Sequence, residues 1–65
     1  MAKNADNVRK ARKKKGLSQD KLAREAGVTY NTVVKIESAE NKNPTIETLR
    51  NIAKALDVSV GELIN

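Results

Sequence analysis

The sequence predicts an all-α fold of five short helices, and three observations carry that prediction. Apolar residues recur at spacings of three and four along most of the chain. Capping residues and glycines fall at the joints between those stretches. The chain has one Tyr, no Phe and no Trp, so its core must come from packed helices bearing Leu, Ile, Val and Ala. The 65 residues read as one domain, near the lower size limit for a core that supports itself.

The first helix spans about Asn4 to Lys15, with Ala5, Val8 and Ala11 at helical spacing and Gly16 as its stop. The second runs from Ser18 to Ala26. The Ser18 side-chain oxygen can accept a free backbone N–H, and Leu22, Ala23 and Ala26 form one apolar face. Gly27 falls where the chain must reverse, because glycine takes φ > 0 without steric cost. The third helix runs from Thr29, its cap, to Ser38, with Val33 and Ile36 facing inward. Val28 and Val33 stand at the spacing of a hydrophobic staple, and the small Ala23 lets the second and third helices cross closely.

Ala39 to Pro44 is a loop, since Asn and Pro disfavour helix continuation. Thr45 caps a fourth helix that places Ile46, Leu49, Ile52, Ala53 and Leu56 on one face and ends at Asp57. Ser59 and Glu62 form a capping box at the start of a short fifth helix, with Val58 and Leu63 at staple spacing. The segment from about 18 to 38 is thus the plan of a helix-turn-helix, a motif whose second helix enters the DNA major groove.

Composition removes several function classes. With no Cys and no His, disulfides, thiol chemistry and the usual zinc sites drop out, and no cofactor or metal is expected. Catalysis is not expected either, for there is no Gly-rich phosphate loop and no suitably placed carboxylate pair. Asp6, Asp20, Glu25, Glu40, Glu47, Asp57 and Glu62 read as capping or surface residues. No apolar run reaches membrane-spanning length, and no secretory signal is evident at the N-terminus.

The net charge of +5 is unevenly spread. Residues 1–24 carry nine Lys or Arg against Asp6 and Asp20, while residues 25–65 carry four against six acids. The N-terminal half suits phosphates and the remainder does not. A solvated helix with ordinary lysines explains the charge equally well when charge is taken alone.

On a helical wheel Val33, Ile36 and Glu37 turn inward, and Tyr30, Asn31, Val34, Lys35 and Ser38 turn outward. The outward set exposes the chain's only aromatic ring, which a small aliphatic core would gain from burying. A single exposed valine at position 34 would need no explanation.

Gly16-Leu17-Ser18-Gln19, Leu22-Ala23, Ala26-Gly27-Val28, Thr29, Val33 and Ile36-Glu37 resemble the phage Cro and repressor type of helix-turn-helix, the XRE family that includes the lambda and 434 repressors. The resemblance continues through Asn43-Pro44-Thr45, Leu49, Leu56-Asp57-Val58-Ser59-Val60 and Leu63-Ile64. It implies a lambda-repressor-like five-helix fold that binds double-stranded DNA, acting as a repressor in a bacterial or phage-like cytoplasm in association with the nucleoid. An engineered binder on the same scaffold also fits.

On that resemblance Tyr30, Asn31, Val34 and Lys35 read base edges. Asn suits adenine N6 and N7, Lys guanine O6 or N7, and Val a thymine methyl. Ser18, Gln19, Thr29, Thr32, Asn41, Lys42, Asn43 and Thr45 fall where relatives touch phosphates. For Ser18, Thr29 and Thr45 simple capping holds in either case, and Lys42 and Asn43 also fit a solvated loop. Arg12 and Glu37 correspond to an ion pair joining the first helix to the end of the third. Lys13, Lys14 and Lys15 are expected to supply a general field.

The sequence departs from the family in two places. Many relatives carry Gly near position 39. Ala39 therefore predicts either a longer third helix or Asn41 in the left-handed conformation. Ala11 is smaller than the Leu often found there, which thins the core under the first helix.

Relatives pair through the fifth helix, so Val60, Leu63 and Ile64 either join a homodimer or close the core of a monomer. The chain stops after helix five with no second domain for sensing or dimerisation, as in a minimal regulator or an excised domain. The alternative reading is an antitoxin-like or co-activator-like module that grips a protein through the Tyr30–Val34 patch or the C-terminal apolar residues.

Overall fold

A computed structural model describes residues 3–41 and 43–64, and these form five helices. They are α1 (Lys3–Lys15), α2 (Gln19–Ala26), α3 (Tyr30–Glu37), α4 (Ile46–Leu56) and α5 (Val60–Ile64). No strand occurs among the described residues. Ser18 and Thr29 stand just outside their helices as caps, their side chains accepting the N–H groups of Lys21 and Thr32. Thr45 does the same for Thr48 at the head of α4. The expected capping box is present. Ser59 N–H donates to Glu62 Oε2 at 3.1 Å, and Glu62 N–H donates to Ser59 Oγ at 3.2 Å.

One apolar cluster lies between the helices. Val8, Leu22, Val33, Ile36 and Ile52 are fully buried at its centre, joined by Leu49, Leu56 and Leu63. Ala23 and Ala26 supply the small surface on which α2 meets its neighbours. Ala11, Leu17, Val28, Val58 and Val60 pack against the rim.

Three helices end in the same way. Gly16, Gly27 and Asp57 take left-handed conformations at φ 77°, 69° and 58°. In each case the N–H of that residue and the next reach back to carbonyls three and five positions earlier, as in a Schellman motif. For α2 these bonds are Gly27 to Arg24 at 3.2 Å and Val28 to Ala23 at 3.0 Å.

The end of α3 differs from the expectation. The helix is not longer and Asn41 is not left-handed; Ala39 itself sits at φ 68°. Its N–H donates to Ile36 O at 3.2 Å, and the second bond comes from Asn41 N–H to Lys35 O at 3.1 Å, one residue later than in the other joints. The buried Ile36 and Glu37 fix the last turn of α3, so the reversal has to fall on Ala39.

Ile46 also departs from the reading. It was expected on the apolar face of α4 but is 56% exposed. At the first helical position its side chain leans back past the helix start, beyond the edge of the core. Ala55 is buried instead, an unanticipated member of that face.

Candidate nucleic-acid interface

The inner face of α3 fixes the helix, and the outer face follows from it. Val33 and Ile36 are fully buried and Glu37 nearly so. Around them Asn31 and Lys35 are exposed, Tyr30 is 53% exposed, and Val34 is half-buried rather than fully outward. Val34 lies between the two faces, where part of its surface packs on the fold.

Glu37 is the one buried charged residue among those described. Arg12 meets it with two bonds, Nε to Oε2 at 2.6 Å and Nη2 to Oε1 at 3.0 Å. The paired side chains are only 12% and 4% exposed. Arg12 Nη1 also donates to Leu17 O at 2.8 Å, so one guanidinium ties the α1–α2 joint to the end of α3. Arg9 Nη1 reaches the Glu37 carbonyl at 3.4 Å. A bidentate arginine of this kind sets orientation as well as contributing energy.

The heads of α2 and α3 carry the other expected residues. Ser18 is exposed and occupied as a cap. Thr29 and Thr32 share a hydroxyl–hydroxyl hydrogen bond of 2.8 Å, with Thr29 exposed and Thr32 half-buried. Gln19, expected at a phosphate, already has a partner within the chain. It is half-buried, and its Nε2 donates to Glu37 Oε1 at 3.1 Å. A carboxylate already turned toward α1 and α2 draws the amide inward.

In the α3–α4 loop, Asn41 Oδ1 accepts the Asn43 N–H at 3.2 Å, which folds the loop back on itself. Asn43 and Thr45 are exposed and Asn41 is half-buried. Lys42 lies outside the described residues. At the C-terminus Leu63 is 1% exposed, which places it in the core rather than on a pairing surface. Val60 packs on the core rim and Ile64 is 46% exposed.

Two ties escaped the sequence reading. Lys15 does not belong to a diffuse field: Nζ donates to Ala55 O at 2.7 Å and to Asp57 Oδ2 at 2.9 Å, clamping α1 to the end of α4. Asn7 Nδ2 donates to Leu63 O at 2.9 Å and holds α5 against α1. Both connect residues at least 40 positions apart in sequence. No helix described is long and apolar enough to cross a membrane, and no group of metal-ligating side chains occurs among the described residues.

Comparison with known proteins places this arrangement. A family model described as helix-turn-helix matches residues 8–63. The HTH-type transcriptional regulator SinR of Bacillus licheniformis is 40% identical over 58 residues, covering 89% of this chain and 52% of the regulator. The chain thus spans about half the length, or less, of the curated relatives it matches. Among solved structures, the N-terminal DNA-binding domain of SinR from Bacillus subtilis superposes with a TM-score of 0.95 at 34% identity, covering 100% of this chain and 94% of that one. SinR in complex with DNA, where it is described as the master regulator for biofilm formation, superposes at 0.89 with 37% identity, covering 92% and 98%. The match across nearly all of the five-helix core shows that this chain belongs to the helix-turn-helix family, in its lambda-repressor-like form.

Proposed function

We propose that this chain is a sequence-specific binder of double-stranded DNA, and that it serves a bacterial transcriptional regulator by occupying an operator. The observation that carries the reading is α3 itself. Its inner face is locked by Val33, Ile36 and Glu37, while Tyr30, Asn31 and Lys35 stand together in solvent. A fixed helix with an exposed polar and aromatic face is what major-groove readout requires. The DNA complex of a relative 37% identical to this chain supports the same reading.

In this arrangement Asn31 selects adenine through N6 and N7, and Lys35 selects guanine through O6 or N7. Val34 and the Tyr30 ring pack against thymine methyls. Ser18, Gln19, Thr29 and Thr32 grip phosphates on one side of the groove, with Asn41, Lys42, Asn43 and Thr45 on the other. The basic first helix adds a general attraction for the duplex. Residues 1–65 act as one DNA-binding unit in the bacterial cytoplasm. Any pairing of two copies rests on Ile64 and the edge of Val60, because Leu63 is committed to the core.

Selection from a random duplex library at ~150 mM salt tests this reading, since weak nonspecific binding is suppressed there. Enrichment of a short site supports it. Binding that survives only at low salt and enriches nothing would replace it with a basic domain that holds the DNA backbone without reading it.

A further inference from the structure

The Gln19 side chain lies between two demands. At the first position of α2 it stands beside N–H groups that have no carbonyl partner within the helix, the usual setting for an anion. Yet its Nε2 already donates to Glu37 Oε1 at 3.1 Å. The same oxygen accepts Arg12 Nη2 at 3.0 Å, and the other carboxylate oxygen accepts Arg12 Nε at 2.6 Å.

This contact fixes which way the amide faces. A glutamine turned over would set its carbonyl oxygen against the carboxylate, two acceptors facing each other with no proton between them. The nitrogen therefore points to Glu37. An amide nitrogen carries two hydrogens, so one N–H remains. Held in one rotamer, that second donor needs no ordering when an anion arrives at the α2 head, and ordering a long side chain is a real cost of binding.

We propose that Glu37 is a positioning residue for DNA binding, acting through Gln19: the carboxylate that anchors Arg12 also presets the Gln19 amide as a phosphate donor. The inference rests on the DNA-binding reading above and extends it. The buried ion pair and the phosphate grip are then one network, running from α1 through the end of α3 to the head of α2. A phosphate contact carries no base information, so its loss weakens all duplexes alike.

The test is a thermodynamic cycle on duplex affinity, measured with the selected site and with a random-sequence duplex. Gln19→Ala in the wild-type background weakens both by roughly tenfold, as expected for a hydrogen bond to a charged group. The second background is Arg12→Met with Glu37→Met, which removes the pair whole and keeps the volume filled, a replacement that cores often tolerate. There the same substitution weakens binding by no more than about twofold, because Gln19 is no longer preset. Equal factors in the two backgrounds would overturn the coupling. So would a Gln19→Ala variant that loses thermal stability but binds as wild type, since Gln19 would then be only a strut.

Side-chain amide NMR supplies a readout that a structural role would not move. One Gln19 Nε2 proton is protected from exchange in the free protein, and the second becomes protected on addition of duplex. Release of the first proton on binding would also overturn the proposal. Failure of the wild-type chain to bind either duplex would instead remove the DNA-binding reading on which it rests.

Discussion

At its N-terminal end α3 is set by backbone chemistry. Gly27 turns the chain at φ 69°, the Schellman bonds close α2, and Thr29 caps the new helix. At its C-terminal end α3 is set by side chains. Ala39 turns at nearly the same φ, 68°, without the freedom of glycine, and its second closing bond arrives one residue late. What holds this end is Arg12 on the Glu37 carboxylate, with Arg9 on the Glu37 carbonyl. A helix can thus be aimed by relieved backbone at one end and by an ion pair that tolerates strain at the other.

The largest effect should come from breaking the ion pair on one side. Glu37→Gln leaves a mostly buried guanidinium without its counter-charge, which costs about 3–5 kcal/mol. A core of this size rarely supplies more than about 3–5 kcal/mol in total, so a urea titration at 25 °C should show much of the variant unfolded in water. Arg12→Met with Glu37→Met should stay within about 1 kcal/mol of wild type, or exceed it. A Glu37→Gln midpoint equal to wild type would mean that the C-terminal end of α3 is not held by this pair.

The two left-handed joints give a smaller and opposite pair of effects. Gly27→Ala meets no atom within 4 Å of the added Cβ, so only backbone terms act: left-handed strain of roughly 1–2 kcal/mol, less about 0.5–1 kcal/mol from the lower entropy of the unfolded chain, a net loss of up to about 1 kcal/mol. Ala39→Gly relieves the same strain but returns about 0.5–1 kcal/mol of chain entropy to the unfolded state. The net is a gain of up to about 1 kcal/mol, seen as a higher thermal midpoint. If both substitutions destabilise by similar amounts, Ala39 is not strained and the contrast between the joints is lost.

These joints also mark how far the sequence could be read. Helix positions, caps and the capping box at Ser59 are local, and periodicity with cap chemistry locates them. The inward and outward faces of α3 follow from the phase of Val33 and Ile36. What the sequence left open is set by tertiary geometry. Ala39 had two local solutions and took neither, because Ile36 and Glu37 were already fixed by other helices. Gln19 has the composition of a surface residue and is drawn inward by a carboxylate 18 positions away. Lys15 looks like one of a run of lysines, yet among the described residues it alone of that run meets a carbonyl and an aspartate. No local pattern encodes such contacts. Ile46 failed for a related reason: the wheel gives the direction of a side chain but not where the core ends.

The smallest stability effect, and the one that separates aim from anchorage, belongs to the outer face of α3. Lys35 is exposed and forms no salt bridge with the described residues, so Lys35→Ala should change unfolding free energy by no more than about 0.5 kcal/mol. On DNA the same change removes a donor for guanine O6 or N7, and one base position of the selected site should lose its preference by about 1–3 kcal/mol of discrimination. Asn31→Ala should do likewise at an adenine. Glu37→Gln acts the other way, loosening the helix without touching a base, so what remains folded should lose affinity across the whole site. Unchanged base preference in both Lys35→Ala and Asn31→Ala would mean that this face does not read the bases. The exposed Tyr30 ring would then be the residue to vary next, because its exposure has no structural account in the fold.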